Sequence, residues 1–270
     1  MKPEEQRAHG VTPGLRQDYA TRTAEQQAAF VLPYLEAGMD LLDAGCGPGT
    51  ITLGLARAVL PGRVIGLDHD AEHIEEARRL ARREGVDNVE FRAGDVLSLP
   101  MEAESMGAAF ENNLFIHLAE QAEQAAKQIH KVLKPGGFFA ARDVDEDAVL
   151  WGARSDVIAE LDKLMFAWHQ NRGSDMKLGK RLPSILQAAG FVGIQTTISA
   201  DTKSTPEDIR SHADITLALL DGPLGRAIIE HGWADHTAVE RLRAGIQAWA
   251  EAPGAFFANV HVEVIGWKPG

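Results

Sequence analysis

The stretch "LLDAGCGPGT", Leu41 to Thr50, constrains the fold more than any other part of the chain. Apolar and small residues lead into Asp43, and Gly45, Gly47 and Gly49 then alternate with Cys46 and Pro48. The run predicts a buried strand ending in a tight turn, with a helix opening behind it. Glycine permits positive φ and lets a ligand approach the bare backbone. Two kinds of cofactor are held by such a device, and the rest of the chain has to distinguish them.

Downstream, strand and helix alternate. "RVIGLDHD" is a second strand, and "AEHIEEARRLARREG" is a charged amphipathic helix ending on Gly85. "VEFRAGDV" is a third strand, and "MGAAFENNLFIHL" contains a fourth. "EQAAKQIHKVLKPGG" is a helix stopped by Pro135-Gly136-Gly137, followed by the strand "FFAARDVD". Short links between strand and helix imply right-handed crossovers and a mostly parallel sheet. Ahead of this, Thr23 is placed to cap a helix through "AEQQAAFVL".

After Asp147 the rhythm changes. "AVLWGARSDVIAELDKLMFAWHQ" and "LGKRLPSILQAAG" read as helices, and "FVGIQTTIS" as a strand. Residues 205–252 read as helical again, and "AFFANVHVEVIGW" closes as a strand of alternating character. Trp151, Trp168, Trp233 and Trp249 all fall in these late segments. They serve either helix packing or an apolar roof over a ligand.

Composition narrows the partner. A net charge of −12 over 270 residues argues against nucleic acid or an anionic membrane, and for a small molecule. Cys46 is the only cysteine, so there is no disulfide framework and no cysteine-built zinc site. That fits a reducing cytoplasm. The start "MKPEEQRAHGVTPG" is polar, unlike a signal peptide, and no 18-residue apolar run predicts a membrane span.

The dinucleotide fingerprint is G-x-G-x-x-G. This chain has G-x-G-x-G, with Thr50 where the third fingerprint glycine would stand. Asp68, ending the second strand, suits ribose hydroxyls under either reading. "AGDVLSLP" and "LKPGGFFA" break the tie. With "LLDAGCGPGT" and "VIGLDHD" they form an ordered set across about residues 20–145. The set resembles class I S-adenosylmethionine-dependent methyltransferases of the small-molecule type, which include quinone C-methyltransferases and natural-product enzymes. The resemblance implies an α/β, Rossmann-like, seven-stranded sheet with its last strand antiparallel, a helical lid and a helical insertion. Residues 1–147 would hold the N-terminal segment and cofactor-binding core, and 148–190 the lid and a core helix. Residues 191–270 would hold the last two strands with an insertion at 202–252, so that two covers lie over one pocket.

The resemblance also implies a cofactor, S-adenosylmethionine, and residues to hold it. Asp43 and Gly45 would lie near the methionine amino group, and Gly47 and Gly49 would bring backbone close. Asp68 would take the ribose hydroxyls, Asp95 with the Val96 backbone the adenine, and His69 either the adenine face or solvent. Tyr19 and Arg22 sit where related enzymes cover the methionine carboxylate; the alternative is a surface helix start. At the fourth strand's exit, Glu111, Asn112, Asn113 and His117 are polar among apolar residues, where open α/β sheets place ligands. Asn112 is expected to line the cofactor pocket. Glu111, Asn113 and His117 are candidates for the chemistry, with His117 alternatively a helix-entry histidine packed on the sheet. His169 is a further histidine beside Trp168, structural or pocket-facing. Asp143, Asp145, Glu146 and Asp147 are read as a solvated loop rather than a metal site, and no metal is expected. The acceptor is expected to be a bulky, apolar small molecule, and the protein a monomer or homodimer. Two alternatives remain: a protein on this fold that binds the cofactor without transfer, or a cyclase; and a nicotinamide-dependent oxidoreductase.

Overall fold

Leu41–Ala44 form β1 and Val64–Asp68 form β2, and every side chain in both is buried. Strands this uniformly buried belong inside a parallel sheet covered on both faces. In the computed structural model, which describes residues 21–270, they do. The contacts divide the chain into two units. A core unit comprises 21–144, Leu178–Ser199 and His261–Gly270, and a helical unit comprises Asp145–Lys177 and Ala200–Val260.

In the core unit β1 pairs in parallel with β2 (Leu41↔Val64) and with β4, Met106–Asn112 (Leu41↔Ala108). β2 pairs with β3, Val89–Ala93, and β4 with β5, Leu133–Val144, again in parallel. The final strand β8, Phe256–Trp267, runs antiparallel to β5 from Phe138↔Trp267 to Val144↔His261. β7, Val192–Lys203, also pairs with β8. The order β3-β2-β1-β4-β5-β8 with β7 beside it is the expected sheet.

The helices follow from local chemistry. Gly49, at φ +84°, lets the chain turn into α2, Thr50–Val59. α3, Ala71–Glu84, is capped by Asp70, whose side chain accepts the Glu72 N–H, and stops on left-handed Gly85. α5, Ala122–Val132, buries Ala122, Ala125, Ala126, Ile129 and Val132 on one face. The helix expected through "AEQQAAFVL" is only one turn, α1, Ala24–Gln27. Pro33, which has no N–H, then sits in a short 3-10 turn. α4, Phe115–Leu118, is another single turn, and α7, Leu182–Ala188, begins with Pro183 in its first turn.

Gly49 carries a packing requirement. A Cβ there would approach Ala77 Cβ to 2.8 Å and Phe91 Cζ to 2.9 Å, and the positive φ already disfavours a side chain. Gly49→Ala should therefore lower stability by about 1–3 kcal/mol, read from urea denaturation. A change within a few tenths of a kcal/mol would mean that α2 shifts freely.

The helical unit departs from expectation at its start. "AVLWGARSDVIAELDKLMFAWHQ" is not one helix. Leu150–Gly152 form a short strand, β6, pairing antiparallel with Phe256–Ala258 (Trp151↔Phe257). α6, Asp156–Asn171, begins only after Ser155, whose Oγ accepts the Ile158 N–H. β6 makes the sheet eight-stranded rather than seven. α8, Pro206–Asp221, opens with a capping box of Thr205 and Asp208, followed by α9, Pro223–Glu230, and α10, His236–Ala250.

Leu161 and Trp168 of α6 share one core with Ile209 and Leu220 of α8, Leu224 of α9, and Leu242 and Trp249 of α10. The two segments expected as separate covers are thus one body. Trp168 and Trp249 are buried in it, with Trp249 Nε1 donating to the Gly152 carbonyl at 2.8 Å. Among the described residues no helix is long and apolar enough to cross a membrane.

Candidate active site

The carboxyl ends of β1, β2, β3 and β4 bring the expected polar residues to one edge of the core sheet. The Gly45 and Cys46 N–H groups both donate to the Leu67 carbonyl, at 2.7 and 3.0 Å, tying the glycine turn to β2. Gly47 N then donates to Asp68 Oδ2 at 2.9 Å, and Asp70 N to Asp68 Oδ1 at 2.9 Å. His69 Nδ1 lies 3.4 Å and His73 Nδ1 3.8 Å from the same carboxylate. Burial alone would push the Asp68 carboxyl up. The two neighbouring histidines and the hydrogen bonds from both backbone N–H groups outweigh it and hold Asp68 well below the usual carboxylate range. The carboxylate raises His73 in return.

The glycines differ in what they serve. A Cβ on Gly47 would meet nothing within 4 Å, so its backbone borders open space beside Asp68. At Gly45 a Cβ would come within 3.1 Å of Leu114, which follows β4, so the exit of β4 packs against the turn. Gly49 is required for helix packing, as described above.

Asp43 is buried and its Oδ2 accepts a 2.6 Å hydrogen bond from Thr52 Oγ1. Burial pushes its carboxyl up to about 7 against that hydrogen bond, with Asp68's charge adding to the rise. Asp95 is exposed beyond β3, its Oδ1 accepting Leu97 N at 2.9 Å, and Val96 beside it is buried. Arg22 is partly buried and His69 is exposed. Tyr19 lies outside the described residues.

The exit of β4 is fixed from beneath. Glu111 is fully buried; its Oε1 accepts Arg142 N at 3.0 Å and its Oε2 Leu114 N at 2.9 Å. Asp143, also fully buried, accepts Ile116 N at 3.2 Å. Burial pushes both carboxyls up, and the charge of Asp143 raises Glu111 further. Asn113, at φ +57°, accepts Val144 N through its side chain and donates its own N–H to the Arg142 carbonyl. His117, on α4, is exposed rather than buried against the sheet.

A family model described as "Methyltransferase domain" matches residues 35–190. The chain belongs to this methyltransferase family. The Aspergillus luteorubrus protein named "Probable methyltransferase ltbC" is 30% identical across 92% of this chain and 92% of its own length. Among solved structures, YcgJ from Bacillus subtilis aligns with a TM-score of 0.62 at 19% identity, covering 90% of this chain and 98% of its own. Haemonchus contortus phosphoethanolamine N-methyltransferase 2, solved with phosphomonomethylethanolamine and S-adenosylhomocysteine, aligns at TM-score 0.55 and 18% identity. That alignment covers 90% of this chain and 52% of the nematode protein. At such identities the likeness is one of fold.

Two features of the methyltransferase escaped the sequence reading. One is Arg142, fully buried on β5. Its Nη1 donates to Gln27 Oε1 at 2.7 Å and Asn112 Oδ1 at 2.9 Å, and its Nε lies 3.5 Å from Glu263 Oε1. The other is a cavity of about 350 Å³ within the methyltransferase's helical unit. Trp151, Phe166, His212 and Phe257 give it aromatic walls, and Glu146 and Asp162 give it carboxyls. The run Asp143–Asp147 is therefore not a solvated loop: Asp143 and Asp145 are buried, Glu146 faces the cavity, and only Asp147 is exposed. Burial, with Asp162's charge second, pushes Glu146 up to about 8. His169 packs beside Trp168 and does not line the cavity.

Proposed function

We propose that this methyltransferase uses S-adenosylmethionine to methylate a bulky, apolar small molecule. The observation that carries the cofactor reading is the ionised Asp68 carboxylate beside the open backbone of Gly47. Two ribose hydroxyls suit such an acceptor, because hydrogen bonds to a charged group are the strong ones. When bound, the cofactor supplies a methyl group already activated on sulfur, so the protein's work is mainly alignment.

Each residue then has a task. Asp95 and the Val96 N–H hold the adenine, Asp43 faces the methionine ammonium, and Arg22 with Tyr19 serves the carboxylate. Asn112 lines the pocket, its Oδ1 held by Arg142. Glu111 and Asn113 position the β4 exit, since their side chains accept hydrogen bonds from the Leu114, Arg142 and Val144 backbone N–H groups. His117, exposed at that exit, is the candidate to accept a proton from an acceptor that must lose one. The bulky acceptor occupies the aromatic cavity of the helical unit, whose volume suits a small-molecule site of about 300–1,000 Å³.

Asp68→Ala tests the assignment. Cofactor affinity should fall by about 1–3 kcal/mol, the loss expected when a charged acceptor is removed, measured by calorimetric titration. Unchanged affinity would remove Asp68 from the site. Release of S-adenosylhomocysteine in the presence of acceptor separates transfer from binding without transfer, which releases none.

A further inference from the structure

The cavity of the helical unit is lined by one carboxyl group that the protein itself leaves unengaged. The cations near Glu146 are taken by other carboxylates: Arg154 Nη2 bonds Asp162 Oδ2 at 2.8 Å, and Lys177 Nζ bonds Asp147 Oδ1 at 2.6 Å. Among the described residues the Glu146 side chain makes no hydrogen bond of its own. A half-buried carboxyl without a partner is costly unless something else satisfies it.

The surrounding walls say what that partner is. His212 stacks on Phe257, with ring centroids 4.0 Å apart and planes at 20°, and Trp151 stands edge-on to Phe257 at 4.6 Å. Lys177 covers a further ring, Phe166, at 4.3 Å from its centroid. Flat rings of this kind favour an aromatic guest by stacking and edge contacts. The paired charges of the lining favour neither an ammonium nor a carboxylate ligand. With Arg154 held by Asp162 and Lys177 by Asp147, these charges cancel in pairs, and Lys163, the remaining cation of the lining, is exposed to solvent. A neutral hydroxyl remains, and Glu146 offers it an acceptor oxygen.

We propose that the cavity binds an aromatic molecule bearing a ring hydroxyl, a phenol-class acceptor, and that a Glu146 oxygen accepts the hydroxyl's hydrogen bond. This rests on the reading that the methyl acceptor occupies this cavity. It adds the chemical class of the ligand and the residue that selects it.

The test compares 2-naphthol with 2-methoxynaphthalene, which has the same ring system but no O–H, by equilibrium dialysis against the full chain. The protein should bind 2-naphthol about tenfold more tightly, the ratio that one hydrogen bond of about 1.4 kcal/mol confers. Glu146→Leu should abolish the preference while leaving 2-methoxynaphthalene binding within about twofold. Glu146→Gln, whose amide oxygen still accepts, should keep most of it. Both variants should melt no lower than the parent, since no protein hydrogen bond is lost; if the leucine variant melts early, Glu146→Ala replaces it. Equal binding of the two compounds, or a preference that survives in Glu146→Leu, overturns the proposal and leaves the apolar-acceptor reading standing. Binding of neither compound overturns both.

Discussion

Arg142→Ala should cost the protein about 3–5 kcal/mol of folding stability, the usual penalty for stripping one partner from a buried ion pair. The guanidinium is wholly buried, and it ties Gln27 of α1, Asn112 of β4 and Glu263 of β8 to β5. Without it the Glu263 carboxylate, itself 6% exposed, keeps among the described residues only the 2.9 Å hydrogen bond from Thr197. Urea denaturation of the single variant gives the magnitude. Adding Glu263→Gln to it should recover part of the loss, because the orphaned charge goes with it. A single-variant loss below about 1 kcal/mol would mean that water reaches the guanidinium and that Arg142 is no keystone.

Cofactor affinity should fall steeply as the solution becomes acidic, and Asp43 is the cause. In the free protein burial holds its carboxyl at about 7. A methionine ammonium placed beside it favours the ionised form, so below that pH binding must first expel a proton. Each pH unit then costs up to a factor of ten, about 1.4 kcal/mol. Between pH 7 and pH 5 the dissociation constant should rise by roughly two orders of magnitude. Asp43→Asn should bind weakly and show little of this dependence.

Folding has the opposite trend with pH. Because the native state holds the Asp43 proton to a higher pH than the unfolded chain, this residue's contribution declines as pH rises from about 4 through about 7. Asp143, pushed up to about 7 by burial, acts in the same direction. Calorimetric titrations and melting curves across the range check both. An affinity flat from pH 5 to 8 would place the ammonium away from Asp43.

What the sequence made legible was what short spacings encode. The glycine turn after β1 announces itself through residues that need positive φ, as Gly45, Gly47 and Gly49 all do. The end of β2 at Asp68 is legible because an apolar run stops there, and the helix stop at Gly85 because an amphipathic pattern does. The Arg142 cluster has no such local signature: its hydrogen-bond partner Gln27 is 115 positions away, and an arginine in "FFAARDVD" reads as an ordinary strand residue. β6 was missed for the same reason, since Leu150–Gly152 is a strand only because Phe256–Ala258 pairs with it. Glu146 was lost among its acidic neighbours. Nothing in "DVDEDA" separates the side chain that faces a cavity from Asp147, which faces solvent.

The last strand has a consequence for how the protein is made. Residues 256–258 of β8 complete the helical unit through β6, and residues 261–267 join β5 in the core unit. During synthesis the sheet cannot close across β5, β6 and β7 until this one segment has emerged, although β1 to β5 can already pair. Until then the edges of β5 and β6 that β8 will occupy stay open, and unpaired edges recruit other chains. Both units therefore complete their strand pairing only with residues 256–267, and a ribosome stalled before residue 256 leaves β5, β6 and β7 without the strand they share.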